Sequence, residues 1–240
     1  MIKVRGTSSD GVPETSILAR SGSLPMTASM LRVCLGGLLA TIVVSADGPT
    51  LLQLGRPTER ALSGEETHAY GLALDAGQVA RLTVVQKGID VIVHVRDAQG
   101  TLLADFNLES LTEGREPLIV LGDAAGPVQI GIAARYPRLP GGTYAIQVDT
   151  IQLASERDRD EFAAHALSTS AGRLESGGKF AEAKQAYMDA LARAERTLDP
   201  HDPFLGQLLT HCAEVQRSVG DTAAAALVNA ITPDGTAKFG

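Results

Sequence analysis

The sequence predicts an all-β sandwich, jelly-roll-like, followed by an α-helical hairpin pair. Two observations carry that prediction. From Leu51 to about Leu153, apolar residues alternate with polar ones in short runs punctuated by Gly, Asp and Pro, the period of half-buried strands joined by turns. Between Ala154 and Asp160 the period changes, and "SERDRDEFAAHALSTSAGRLES" carries apolar or small residues at helical spacing. At 240 residues, 44% apolar and 20% charged, the chain has a globular composition and length for one large core or two modest ones.

The N-terminal part reads as two unlike pieces. Residues 1–25 are rich in Ser, Gly and Pro without a periodic apolar face, and are expected to be disordered or to precede the true start. Residues 26–46 combine Met26, Arg32, an apolar run from Val33 to Val44 and the small-residue pattern Val44-Ser45-Ala46, a secretory signal if translation begins at Met26 or Met30. At 12 residues the run is short of the roughly 20 that a membrane span needs. Membrane contact is therefore expected only in transit, and the mature protein is expected to be periplasmic or secreted in a bacterium. Cys34 stands at the very start of the apolar run, two residues after Arg32 and not behind the run, which argues against a lipoprotein, and after cleavage Cys212 alone remains, leaving no internal disulfide.

The β-domain is expected over residues 47–153. His68, Tyr70, Leu72 and Leu74 keep period two, and "LDAGQ" turns the chain into "VARLTVVQ". "IDVIVHVRDAQGTLLADF" holds two strands around Asp97-Ala98-Gln99-Gly100, a four-residue turn ending in Gly. "PLIVLGDAAGPVQIGIAA" and "GGTYAIQVDTIQL" supply three more. About seven or eight strands with no helical pattern between them indicate an antiparallel sandwich.

Helices are expected over residues 155–232, with a flexible tail at 233–240. Ser155 is the N-cap of the first, which faces Ala163, Leu167, Ala171 and Leu174 inward. Gly177-Gly178 ends it. A second helix runs from Phe180 to about Leu198, burying Phe180, Ala183, Tyr187, Ala190, Leu191 and Ala194. "DPHDP" breaks the chain through Pro200 and Pro203. A third helix buries Leu205, Leu209, Cys212 and Val215, and "DTAAAALVNA" opens a shorter fourth.

The stretch Gly178-x-Phe180-x-x-Ala183-x-x-x-Tyr187-x-x-Ala190, with Leu167, Ala171 and Leu174 upstream, resembles a tetratricopeptide repeat. That resemblance implies close helix crossing at Ala183 and Ala190, with Tyr187 filling the gap to the next hairpin. A 42-residue shift carries Gly178 onto Gly220, Leu167 onto Leu209, Ala171 onto Ala213 and Ala183 onto Ala225, a period similar to the longer kinesin-light-chain type. The second copy departs from the pattern, since Phe180 falls on Thr222 and Tyr187 on Asn229. A leader, a β-part, "GTYAIQV", "ASERDRDEFAAHAL" and a repeat, in that order, resemble the N-terminal region of bacterial tetratricopeptide (TPR) proteins that continue into a caspase-like CHAT domain. The β-part is similar to a bacterial pre-peptidase C-terminal domain through Gly88-Ile89-Asp90 and Asp97 to Gly100.

No catalytic constellation is legible. Cys212 and His211 are adjacent on one expected helix, so their side chains point about 100° apart, and the protease activity of the longer relatives is not expected here. There is no G-x-S-x-G elbow, phosphate-binding loop or paired-Cys motif. Glu161 and His165 share a helix face expected to be solvated, while His68 and His94 are read as rim or edge residues. Asp90, Asp97 and Asp105 are weighed as oxygen ligands for calcium, but Asp97 already has a turn role. The acidic pairs Glu65-Glu66 and Asp158 with Asp160 read as surface charge. No cofactor or metal is expected.

The net charge is −7, and the first 46 residues carry four basic and two acidic side chains, so the remainder stands at −9. A nucleic-acid partner, which needs a basic face, is excluded on that ground. With no Trp and only five Phe and four Tyr, a carbohydrate-binding module is a minor alternative. The expected function is that of a non-catalytic, exported interaction or scaffold protein, binding another protein or itself through the TPR-like helices, with Lys179, Lys184 and Gln185 as candidate surface groups. The alternative is a regulatory N-terminal fragment of a longer TPR/CHAT-type peptidase.

Overall fold

The computed structural model describes residues 49–108, 112–122 and 126–220. The segment 1–25, the expected leader over 26–46, the fourth helix and the tail at 233–240 lie outside the described residues. Nine strands follow in chain order: β1 (Thr50–Leu51), β2 (Thr58–Leu62), β3 (Thr67–Leu72), β4 (Gln78–Lys87), β5 (Val91–Arg96), β6 (Leu102–Phe106), β7 (Glu113–Gly122), β8 (Val128–Ala134) and β9 (Gly142–Leu153). Three helices complete them: α1 (Glu156–Ser176), α2 (Phe180–Thr197) and α3 (Pro203–Ser218).

The strands form two sheets, ordered β1-β3-β8-β5-β6 and β2-β9-β4-β7. Strands β2 to β9 alternate between the layers except at β5 and β6, which are neighbours in one sheet, and this is the order of a jelly roll. The pairs among them are antiparallel, whereas β1 runs parallel to β3. Alternation places Val91, Val93 and Val95 of β5 and Val128, Ile130 and Ile132 of β8 in the core, with Leu82 and Val84 of β4 and Ile146 and Val148 of β9 in the facing layer.

Two turns follow from residue chemistry. Asp97 Oδ1 accepts hydrogen bonds from the amides of Gln99 and Thr101, and the Gly100 amide closes on the Asp97 carbonyl at 3.0 Å. Gly100 sits at φ 84°, which a glycine adopts without strain. After Lys87, Gly88 reverses at φ 71° and Asp90 turns inward to accept from the Asn107 amide at 2.8 Å.

Helix α1 starts with a capping box, in which the Ser155 hydroxyl accepts from the Asp158 amide and the Asp158 carboxylate accepts from the Ser155 amide. Asp202 caps α3 by accepting from the Phe204 amide, with Pro203 in the first turn. Ala183, Tyr187, Ala190 and Ala194 of α2 are buried, and Leu167 and Leu174 of α1 pack partly buried against them. Tyr187 donates to Glu175 of α1 at 3.1 Å and stacks on His211 of α3, ring centroids 5.1 Å apart.

Several expectations are corrected. Phe180 is 37% exposed, because it is the first residue of α2, at the end of the helix rather than within its packed length. In α3 the buried leucine is Leu208 and not Leu209, since Phe204, Leu205, Leu208, Cys212 and Val215 form the apolar stripe. His68 is not at a rim but buried, and His165 is not on a solvated face but in the interior. Asp158 is likewise buried, in the cap and an ion pair.

Candidate functional site

The side of the sandwich where the edge strands β6 and β7 come together is covered by α1. An uncovered edge leaves backbone donors free for association, and here the β6 amide of Asp105 donates to the Thr169 hydroxyl of α1 at 2.8 Å. Phe162 of α1 enters the sandwich core, while Ala164 and Ala171 face α2. From β4, Arg81 reaches both Glu161 carboxylate oxygens, at 2.9 and 2.8 Å, and Asp158 at 2.8 Å. The bidentate geometry gives this pair more direction than a single charge contact. Burial pushes the Asp158 carboxyl up, but the Ser155 cap and Arg81 outweigh it and hold the group below the usual carboxylate range.

His165 lies in the middle of this seam. Its ring stacks on Phe204 of α3 at a centroid distance of 3.7 Å and an interplanar angle of 13°, and meets Phe106 of β6 at 4.5 Å and 38°. Burial lowers its pKa to about 3, so the imidazole is neutral at pH 7. Beside it opens a cleft of about 260 Å³ whose walls include Arg115, Pro117, His165, Leu198, Pro203 and Phe204. Asp202 also lines it, and burial raises its carboxyl above the usual range.

A second depression, of about 270 Å³, lies on the outer face of the four-stranded sheet. Its polar groups already engage one another: the Thr83 hydroxyl donates to Asp149 at 2.7 Å and the Gln147 amide at 3.1 Å. Tyr144 contributes to its floor, but the phenol points inward, within 2.6 Å of the Tyr70 hydroxyl and 2.7 Å of His68 Nδ1. Burial and that contact push the Tyr144 phenol well above its usual range.

The other sequence candidates are dispersed. Cys212 is buried in α3, and burial pushes its thiol up to about 11, opposite to what a nucleophilic thiolate needs. His94 pairs with Asp105 across β5 and β6 at 2.6 Å, Asp97 is taken up by its turn, and Asp90 is buried with Oδ1 on the Asn107 side chain and Oδ2 without a partner among the described residues. Among the described residues no three His, Cys, Asp or Glu side chains gather as metal ligands. Lys179 is exposed and pairs with Glu182 at 3.7 Å, Gln185 is exposed and donates to Asp189, and Lys184 is half-buried with an interaction of its own. Sequence reasoning did not single out Arg81, Arg115, Phe106 or Phe204. Phe106 closes an alternating strand and Phe204 follows a helix-breaking proline, but neither position signals that both flank one histidine.

Fold and seam define a jelly-roll β-sandwich with helices docked along one side. No protein-family model matches the chain, and no curated protein matches it. Solved structures similar to it include the pre-peptidase C-terminal domain of collagenase from Bacillus anthracis, at 16% identity and TM-score 0.34, covering 43% of this chain and 96% of that domain. PliG from Aeromonas hydrophila, a periplasmic inhibitor of g-type lysozyme, is similar at 14% identity and TM-score 0.31, covering 42% of this chain and 96% of its own. CsCBM6-3 from Clostridium stercorarium, in complex with cellobiose, is similar at 12% identity and TM-score 0.25, covering 43% and 98%. Among the described residues no helix is long and apolar enough to cross a membrane.

Proposed function

We propose that the chain is a non-catalytic, exported binding and scaffold protein, in which the sandwich carries TPR-like helices to an amphipathic helix of a partner protein. The observation that supports this reading is an apolar flank on α2. Phe180, Lys184 and Met188 follow one another at four-residue spacing and so share one side of the helix, with Phe180 37% and Met188 44% exposed. Apolar anchors at this spacing suit a helix that lays its own apolar face alongside. The leader over residues 26–46 supports export, and the absence of a legible catalytic motif supports a role in binding.

Replacing Met188 by a photo-crosslinking amino acid in the producing cell tests the reading. Adducts at that position should map by mass spectrometry to one helical segment of a second protein. An adduct to another copy of this chain would replace the partner by self-association, and an adduct-free protein would overturn the proposal. Mass spectrometry of the same material tests export, which predicts an N-terminus at Asp47.

A further inference from the structure

His165 is only 7% exposed, yet among the described residues neither ring nitrogen has a hydrogen-bond partner; its contacts are the rings of Phe106 and Phe204. A neutral imidazole carries one N–H donor and one lone pair. Neither nitrogen is among the fully enclosed unpaired side-chain atoms, which among the described residues are Asp90 Oδ2 and Gln216 Oε1, so the polar edge of the ring is not sealed off from the cleft. A phenylalanine would fill the same stack, so packing alone does not account for a histidine. The stack borders the cleft that His165 lines.

The walls of the cleft restrict what fits. Pro117, Leu198, Pro203 and Phe204 are apolar, and the charge of Arg81 is already met by Asp158 and Glu161. Asp202 is occupied in capping α3. At about 260 Å³ the space is on the small side for a ligand pocket and equals on the order of nine water volumes. An ion would find no uncompensated opposite charge next to the imidazole. The remaining cation, Arg115, is an exposed lining residue that also borders the groove on the sheet face, where a guanidinium can sit over an aromatic ring.

We propose that the seam cleft binds a small neutral hydroxylated aromatic molecule of phenol size, whose hydroxyl pairs with His165 and whose ring lies against Pro117, Leu198 and Pro203. A hydroxyl can donate or accept, so it can pair with the ring edge in either tautomer of a neutral imidazole. The site is separate from the α2 flank and stands or falls independently of it.

The test uses the intact protein with labelled histidine rings, followed by NMR while p-cresol, toluene or p-hydroxybenzoate is added. Saturable movement of the His165 ring signals is expected with p-cresol, at an affinity on the order of tenfold or more above that for toluene. In His165→Phe, which keeps the stacked ring and removes the nitrogens, binding followed through the Phe204 ring should lose that preference. Should His165→Phe fail to fold, Pro117→Trp, at an exposed position on β7, fills the cleft and should abolish the His165 response. Equal binding of toluene and p-cresol, tighter binding of p-hydroxybenzoate, no saturable response to p-cresol, or full binding by Pro117→Trp would each overturn the proposal.

Discussion

The sandwich and the seam each bury a histidine, and they treat it in opposite ways. In the sandwich, His68 belongs to a chain of hydroxyls: Tyr70 and Tyr144 are 2.6 Å apart, and Tyr144 is 2.7 Å from His68 Nδ1. At the seam, His165 has aromatic faces on two sides and no polar partner among the described residues. Burial lowers the pKa of both rings. A buried polar group that is fully paired specifies the packing of a core. One that is stacked but unpaired, beside a cleft, leaves hydrogen-bonding capacity directed at something outside the chain. The contrast separates a structural histidine from a candidate recognition residue, although both are buried.

The largest expected effect breaks the first half of that comparison. Tyr144→Phe removes the central hydroxyl and leaves both Tyr70 and His68 without it in the core. With two buried groups losing a partner, a loss of about 3 kcal/mol of stability is expected in urea unfolding. A loss under about 1 kcal/mol would mean that the network holds nothing together.

The second half is sharpened by pH. An unfolded histidine titrates near 6.5, whereas folding holds His165 neutral down to about pH 3. Between these values the unfolded chain binds the additional proton, so stability is complete above about pH 6.5 and falls as the pH drops towards 3. One such group contributes a slope of up to about 1.4 kcal/mol per pH unit. His165→Phe should flatten the wild-type slope between pH 7 and 5, leaving the contribution of His68, which has the same sign. Asp158 and Asp160 sit below the usual carboxylate range and act only at lower pH. Identical slopes for the two proteins would remove His165 as the titrating group.

Much of this fold was legible because strands with one buried face advertise it. His68, Tyr70 and Leu72 alternate in sequence and all point into the core; the residue type, not the period, led to reading His68 as a rim group. The two-residue β1 has no period to read, and its parallel pairing depends on contacts distant in sequence. Helix α1 was harder because it buries two faces. Asp158, Phe162, His165 and Thr169 turn towards the sandwich, and Ala164, Leu167, Ala171 and Leu174 towards the other helices. A single-stripe reading finds the second face and assigns the first to solvent. The seam site lies on the face so missed, and its partners Phe106 and Phe204 are 59 and 39 residues from His165 in the chain.

The smallest expected effect asks whether the seam is held by direction or by area. Thr169→Val keeps the shape of the side chain but removes the acceptor for the Asp105 amide on edge strand β6. Phe162 and the Arg81 pairs remain, so helix docking should survive with a loss of about 1 kcal/mol. The Asp105 amide should then exchange with solvent faster than in the wild type, while the amides of β5, which pair within the sheet, keep their protection. Faster exchange confined to β6 would place the effect at the edge the helix covers. If protection across α1 fell together with β6, the hydroxyl would be more than an edge cap: the threonine would be fixing the position of the helix, and with it the stack that holds His165 against the cleft.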